Sequence, residues 1–135
     1  VADFMGSPAM DFRECSVHVE GDRAELVSGS IRLKVPAKDY RDLVSGARVE
    51  VGLRPSKMDI AAEGDVNIIS GTVVLIENMG SEGQVIVDGD GREMSFVTKA
   101  FRTIEAGQRI NFSIDPDNIH IFSRDDGRSL LHAAA

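Results

Sequence analysis

The chain has a single cysteine, no tryptophan and one tyrosine, and aromatic residues make up only 5% of its 135 positions. Cys15 alone cannot close an internal disulfide, and such sparing use of thiols fits a reducing compartment. So few aromatic faces leave little for the bases of a single strand to stack on. Positive charge is also scarce: 15 Lys and Arg stand against 22 Asp and Glu, a formal net charge of −7. That balance repels a phosphate backbone, so no nucleic-acid partner is expected. No apolar run approaches the ~20 residues of a membrane-spanning helix. Nor does a charged stretch followed by an apolar one mark a secretory signal, so a cytosolic location is the expectation. Val1 stands where an initiating methionine would, which points to a processed chain or a piece of something longer.

What is present is globular. At 42% hydrophobic and 27% charged, the composition supports a folded core and argues against disorder. The length suits one domain, or two very small subdomains sharing a core.

The most informative pattern is an internal repeat. Residues 38–60 and 99–121 align without a gap, 61 positions apart. Lys38, Arg41, Gly46, Arg48, Pro55 and Ile60 recur as Lys99, Arg102, Gly107, Arg109, Pro116 and Ile121. Tyr40/Phe101, Leu43/Ile104, Val49/Ile110, Val51/Phe112, Leu53/Ile114 and Met58/Ile119 keep their apolar character. Ordinary composition would give roughly one or two chance identities over such a span. One supersecondary unit has been duplicated, and the two copies should pack on each other as related half-folds.

Short alternating runs dominate the rest. Cys15, Val17 and Val19 alternate with polar neighbours, as do Ile31, Leu33 and Val35 up to Pro36. Further strands are expected at Ala24–Val27, Arg48–Leu53, Thr72–Glu77, Gln84–Asp88, Met94–Val97, Arg109–Ile114 and Ile119–Ser123. Residues 37–44 hold one helical turn or two. Nine or ten short strands with closely spaced turns predict an all-β, barrel-like fold with short helical turns.

Each motif that invites a chemical reading has a plainer one. Asp88-Gly89-Asp90-Gly91 would need an oxygen ligand and then glycine next to be a calcium loop, but Arg92 and Glu93 follow; a type I′ hairpin turn is the reading. His18, His120 and His132 have no ligand-spaced partners, so no metal site is expected. Cys15 falls on the inward face of its strand as an inert thiol. Gly80-Ser81-Glu82-Gly83 precedes a strand and lacks the Lys-Ser/Thr ending of a phosphate loop. No catalytic constellation emerges, and the chain is expected not to be an enzyme. The corners Arg54-Pro55 and Asp115-Pro116 end strands by removing a ladder donor, and Arg54 could reach a partner's carboxylate. The first twelve residues are apolar and irregular. Phe4, Met5, Met10 and Phe12 either close one end of the core or await a neighbour.

Several blocks carry a family resemblance. VADFMGSPAMDF at 1–12 resembles the VAGFIGSPxMNF segment that follows the nucleotide-binding domain in ATP-binding subunits of sugar-type ABC importers. Gly52-Leu53-Arg54-Pro55 resembles that family's G-hydrophobic-RPEH block, although Ser56-Lys57 replaces Glu-His and Asp3 replaces Gly. GTVVLIENMG at 71–80, and DPDNIHIF at 115–122 followed by Asp126-Gly127-Arg128, are similar to two further blocks. The resemblance implies a TOBE or molybdate-binding-like domain: residues 1–12 as a lead-in after a missing ATPase domain, then an oligonucleotide-binding-like (OB-like) barrel over 13–135. It also implies a regulatory, dimerising role in a maltose- or glycerol-phosphate-type importer, on the cytoplasmic side of the inner membrane. The expected partners are a second copy, the ATPase domain of the same chain, the transporter's membrane subunits indirectly and a regulatory protein. ATP and Mg belong to the missing ATPase domain, and no cofactor is expected here. Phe4, Met5, Met10 and Arg54 are the candidate contacts with that domain or a partner. A sensor of a small oxyanion or sugar, using Arg48, Arg54 or Arg109, is the alternative.

Overall fold

The computed structural model of the protein describes residues 10–41, 43–125 and 127–131. The first half supplies β1 (Asp11–Glu20), β2 (Arg23–Ser28), β3 (Ile31–Pro36), β4 (Arg48–Leu53) and β5 (Met58–Ile60). The second supplies β6 (Ile68–Asn78), β7 (Gly83–Gly89), β8 (Arg92–Thr98), β9 (Arg109–Ile114) and β10 (Ile119–Ser123). Among the described residues, helical structure is confined to single 3-10 turns at Ala37–Asp39, Pro55–Lys57, Phe101–Thr103 and Pro116–Asn118. The all-β expectation holds, and the repeat is seen as two related half-folds. The helical stretch expected at 37–44 is a single turn over Ala37–Asp39, begun where Pro36 ends its strand.

Two five-stranded sheets form, in the orders β10-β4-β1-β2-β3 and β5-β9-β6-β7-β8. The orders match position by position, but each sheet takes its outermost strand from the other half. Met58 of β5 pairs with Ile114 of β9, while Ile119 of β10 pairs with Leu53 of β4. These are equivalent positions of the 61-residue repeat, so the exchange is reciprocal. The proline corners explain it. After Leu53 and Ile114, Arg54-Pro55 and Asp115-Pro116 break the ladder, and a 3-10 turn throws each chain across to the partner sheet. Asp115 caps its turn by accepting the Asp117 N–H at 2.9 Å.

The symmetry reaches beyond the repeat seen in sequence. Val17 N–H donates to the Ala47 carbonyl and Gly46 N–H to the Val17 carbonyl. Val73, Gln108 and Gly107 make the same two bonds in the second half, all four between 2.7 and 2.9 Å. Gly46 and Gly107 hold φ of 91° and 89°, which glycine adopts without Cβ strain.

Inward residues of both sheets make one core, with Leu26, Val51, Leu53, Val85, Phe96 and Phe112 fully buried. Phe96 stacks on Phe112 with centroids 4.7 Å apart. Each such side chain contributes about 1.5–3 kcal/mol by leaving water. Cys15 is 1% exposed, as its inward position in the alternation predicts.

Side-chain bonds tie the halves together. The type I′ turn appears as expected at Asp90-Gly91, with φ of 57° and 77°. Asp90 lies 61 residues after Gly29, so the two equivalent hairpin tips meet. There Asp90 Oδ2 accepts the Ser30 backbone N–H at 2.8 Å and the Ser30 hydroxyl at 2.6 Å. Buried Asn67 accepts from the Lys34 N–H at 2.8 Å and donates to the Lys34 carbonyl at 3.1 Å, joining β3 to the start of β6.

Reciprocal exchange makes each half depend on the other for a sheet edge and part of the core. A fragment of residues 10–66 and one of 67–131 should each lack sheet structure by circular dichroism, and mixing them should restore it. Cooperative thermal unfolding of either fragment alone would refute this dependence.

Candidate interaction surfaces

The proposed contact residues lie at the start of the described chain and at one proline corner. Phe4 and Met5 fall outside the described residues. Asp11 and Phe12, counted in the lead-in from sequence, pair with Leu53 and Gly52 inside β1. Met10 lies over Gly52, where an added Cβ would collide with its thioether and stand 3.2 Å from the Phe122 ring. Phe12, 45% exposed, packs its ring 6.0 Å from that of Phe122, and the His120 ring lies 6.5 Å from Phe122. These residues form a ridge on the outer face of the first sheet, not a plug in the core. Arg54 is exposed at the corner beside it and forms no ion pair with a described carboxylate. Burial, and to a lesser degree the Arg54 charge, hold His120 below its usual pKa, so His120 is neutral at pH 7.

The second surface comes from comparing the halves. On the outer face of the first sheet, His18, Glu25 and Lys34 form a cross-strand row over β1, β2 and β3. The corresponding row of the second sheet is Leu75, Ile86 and Ser95 over β6, β7 and β8. A bulge at Val74, between the Val73 and Leu75 pairings, adds a further apolar side chain. Val74, Leu75 and Met79 are 45%, 51% and 47% exposed. At two of the three positions a polar or charged side chain of the first sheet, His18 or Glu25, gives way to an apolar one, Leu75 or Ile86, in the second. Sheet stability does not account for that difference, because both rows are on the solvent side.

The sequence reading missed Arg13, which is 5% exposed at an inward position of β1. Its Nε lies 3.4 Å from Asp11 Oδ1, and Arg92 reaches the same Asp11 oxygen at 3.3 Å and the Phe12 carbonyl at 2.7 Å. Alternation counted back from Cys15 reaches position 13, but arginine is rarely buried without a partner, and nothing local shows that Asp11 is the partner. Arg48 pairs with Glu14 at 2.8 Å. Among the described residues no group of His, Cys, Asp and Glu is arranged to hold a metal.

The described residues present outer faces and one buried thiol, Cys15. The TOBE domain family model matches residues 51–122, and the chain belongs to that family. It is 31% identical over 133 residues to the maltose/maltodextrin import ATP-binding protein MalK of Vibrio vulnificus (strain YJ016). That match covers 96% of this chain and 35% of the relative. It is 29% identical to the sn-glycerol-3-phosphate import ATP-binding protein UgpC 1 of Rhizobium johnstonii, over 95% of this chain and 34% of the relative. The chain thus spans about a third of the length of these relatives. A solved structure of the cytoplasmic molybdate-binding protein ModG superposes with a TM-score of 0.66 at 18% identity, covering 84% of this chain and 95% of that one. At that identity the likeness shows the fold, an OB-like β-barrel.

Burial pushes the Cys15 thiol up from 9.0 to about 11, with Arg13 lowering it and Glu14 raising it by lesser amounts. Folded Cys15 should therefore react slowly with an aromatic disulfide reagent at pH 8 and quickly once denatured. Because the folded thiol holds its proton longer, its stabilising contribution is complete below pH 9.0 and is lost as pH rises to about 11. Equal reaction rates in the folded and denatured chain would contradict the burial.

Proposed function

We propose that the chain is the non-catalytic regulatory and dimerisation domain of the ATP-binding subunit of an ABC importer for carbohydrates, of the maltose or glycerol-phosphate type. The observation that carries the reading is the match of nearly the whole chain to a third of importer ATP-binding proteins such as MalK and UgpC. The work of such a domain is binding. Two copies pack through the apolar row Val74, Leu75 and Ile86 of the second sheet, keeping their attached ATPase domains at high effective concentration. A regulatory protein that prefers one arrangement of the pair shifts the resting population toward it. The ridge of Met10, Phe12 and Phe122, with Arg54 beside it, continues from the lead-in and faces the ATPase domain of the same chain. ATP, Mg and contact with the membrane subunits belong to that domain, and the assembly sits on the cytoplasmic side of the inner membrane.

Sedimentation equilibrium tests the dimer. Leu75→Glu should weaken association by about tenfold or more, roughly 1.4 kcal/mol, by placing a charge in a desolvated centre. Glu25→Ala, in the matching row of the first sheet, should leave association unchanged. A wild-type chain that stays monomeric at its highest soluble concentration, or a Leu75→Glu variant that dimerises as well as wild type, would sink the reading.

A further inference from the structure

Five arginines of this acidic chain find carboxylates: Arg13 and Arg92 share Asp11, Arg48 and Arg124 share Glu14, and Arg32 takes Glu25. Arg23, Lys34 and Lys38 form no side-chain hydrogen bond or ion pair among the described residues, although the chain has 22 Asp and Glu. These three meet around one hollow. In the ladder of β2 and β3, Arg23 faces Pro36 and Glu25 faces Lys34, so Arg23 and Lys34 are diagonal neighbours on the outer face of the first sheet. Lys38 follows in the 3-10 turn after Pro36. Like charges set side by side on a sheet repel and weaken it.

The second half shows that the fold does not need them. In the ladder of β7 and β8, Gln84 faces Val97 and Ile86 faces Ser95. Gln84 and Ser95 therefore stand where Arg23 and Lys34 stand, 61 positions on. There the pair is neutral and closed on itself, the Gln84 side-chain N–H donating to the Ser95 hydroxyl at 2.9 Å. The same backbone carries a satisfied pair in one half and two repelling cations in the other.

The hollow has a volume of about 350 Å³ and lies where the halves meet. Arg23, Lys34 and Lys38 line it with a single acid, Asp22, and Pro36, Val66 and Pro116 supply apolar walls. Val66 is 64% exposed, an apolar side chain left facing open space. The frame is held without a ligand. Asn67 bonds both backbone groups of Lys34, and the Ala37 N–H donates to the Asp22 carbonyl at 2.9 Å. Glu20 and Glu25 border a neighbouring hollow with His18, which shares Asp22, Arg23 and Lys34. Glu25 is engaged by Arg32 at 3.4 Å, and Glu20 lies 3.9 Å from His18.

We propose that this hollow binds a phosphate monoester of a small organic molecule. Three cations and one acid leave its lining with a net charge of +2, which complements a phosphoryl group of about −1.5 to −2 at pH 7. A guanidinium takes two phosphoryl oxygens side by side, and the two ammonium groups add point charges. The apolar walls cover the organic body, and a hollow at the small end of the usual range for ligand sites keeps that body small. The site is separate from the apolar row of β6 and β7 and does not rest on the dimer reading.

The probe is phenyl phosphate, titrated into the isotope-labelled full chain and followed by amide NMR. Saturable shifts at Arg23, Lys34, Lys38 and Val66 are expected, with Gln84 and Ser95 unmoved. Inorganic phosphate, which lacks the body, and benzenesulfonate, which carries one charge, should each bind more weakly. The double variant Arg23→Gln, Lys34→Ser copies the pair that the second half already folds with, and it should weaken binding by about tenfold or more. Val66→Asp, which sets a carboxylate on an exposed wall, should do the same, and the Leu75→Glu variant should bind as wild type does. Absence of saturable shifts at these residues overturns the inference. So does a double variant that binds as tightly as wild type, or inorganic phosphate that binds as tightly as the ester.

Discussion

The reciprocal exchange of β5 and β10 is the constraint from which the rest of this structure follows. A three-residue strand and a five-residue strand each complete the sheet of the opposite half, with Met58 on Ile114 and Ile119 on Leu53. The exchange closes one core from two sheets that would each lack an edge. The Asp90–Ser30 bonds and the Asn67–Lys34 pair then fasten neighbouring parts of the halves at defined distances. Such contacts are non-local, so their loop-closure cost is met only when both halves fold together.

A duplicated fold of this kind provides an internal comparison. Positions related by the repeat share backbone geometry, so differences between them reflect demands other than folding. Two differences stand out. The outer row His18, Glu25 and Lys34 becomes Leu75, Ile86 and Ser95, with Val74 bulged beside it. And the β10 edge of the first sheet is met by the Tyr40 hydroxyl and by residues 128–131, whereas the β5 edge of the second lies beside β8. The first difference places apolar surface on the second sheet. The first sheet carries mixed charge on its outer row, as a free surface does.

Much of the fold was legible in the sequence. The strands Arg48–Leu53 and Ile119–Ser123, the Asp90-Gly91 turn and the inward Cys15 all follow from period-2 alternation and from turn residues with positive φ. Others were seen only in part. β6 begins at Ile68, four residues before the apolar run that marked it, because Ser70 and Gly71 interrupt the pattern. β1 begins at Asp11, because the charge of Arg13 masked an inward position. The surface residues were less legible. Met10 and Arg54 lie on an outer ridge and at an exposed corner, while Leu75 and Ile86 look in sequence like any other strand apolar residues.

The sequence by itself determined the all-β class, the duplication and the family, since each is written in local periodicity and in residues that recur at fixed spacing. Only the tertiary structure decided which half completes which sheet, that Arg13 is inside, and that Leu75 and Ile86 are outside. An apolar residue in a strand faces the core or the solvent according to register, and register is set by partners far along the chain. The bulge at Val74, between the Val73–Val87 and Leu75–Ile86 pairings, turns Leu75 outward to join Ile86, and no local signal announces it.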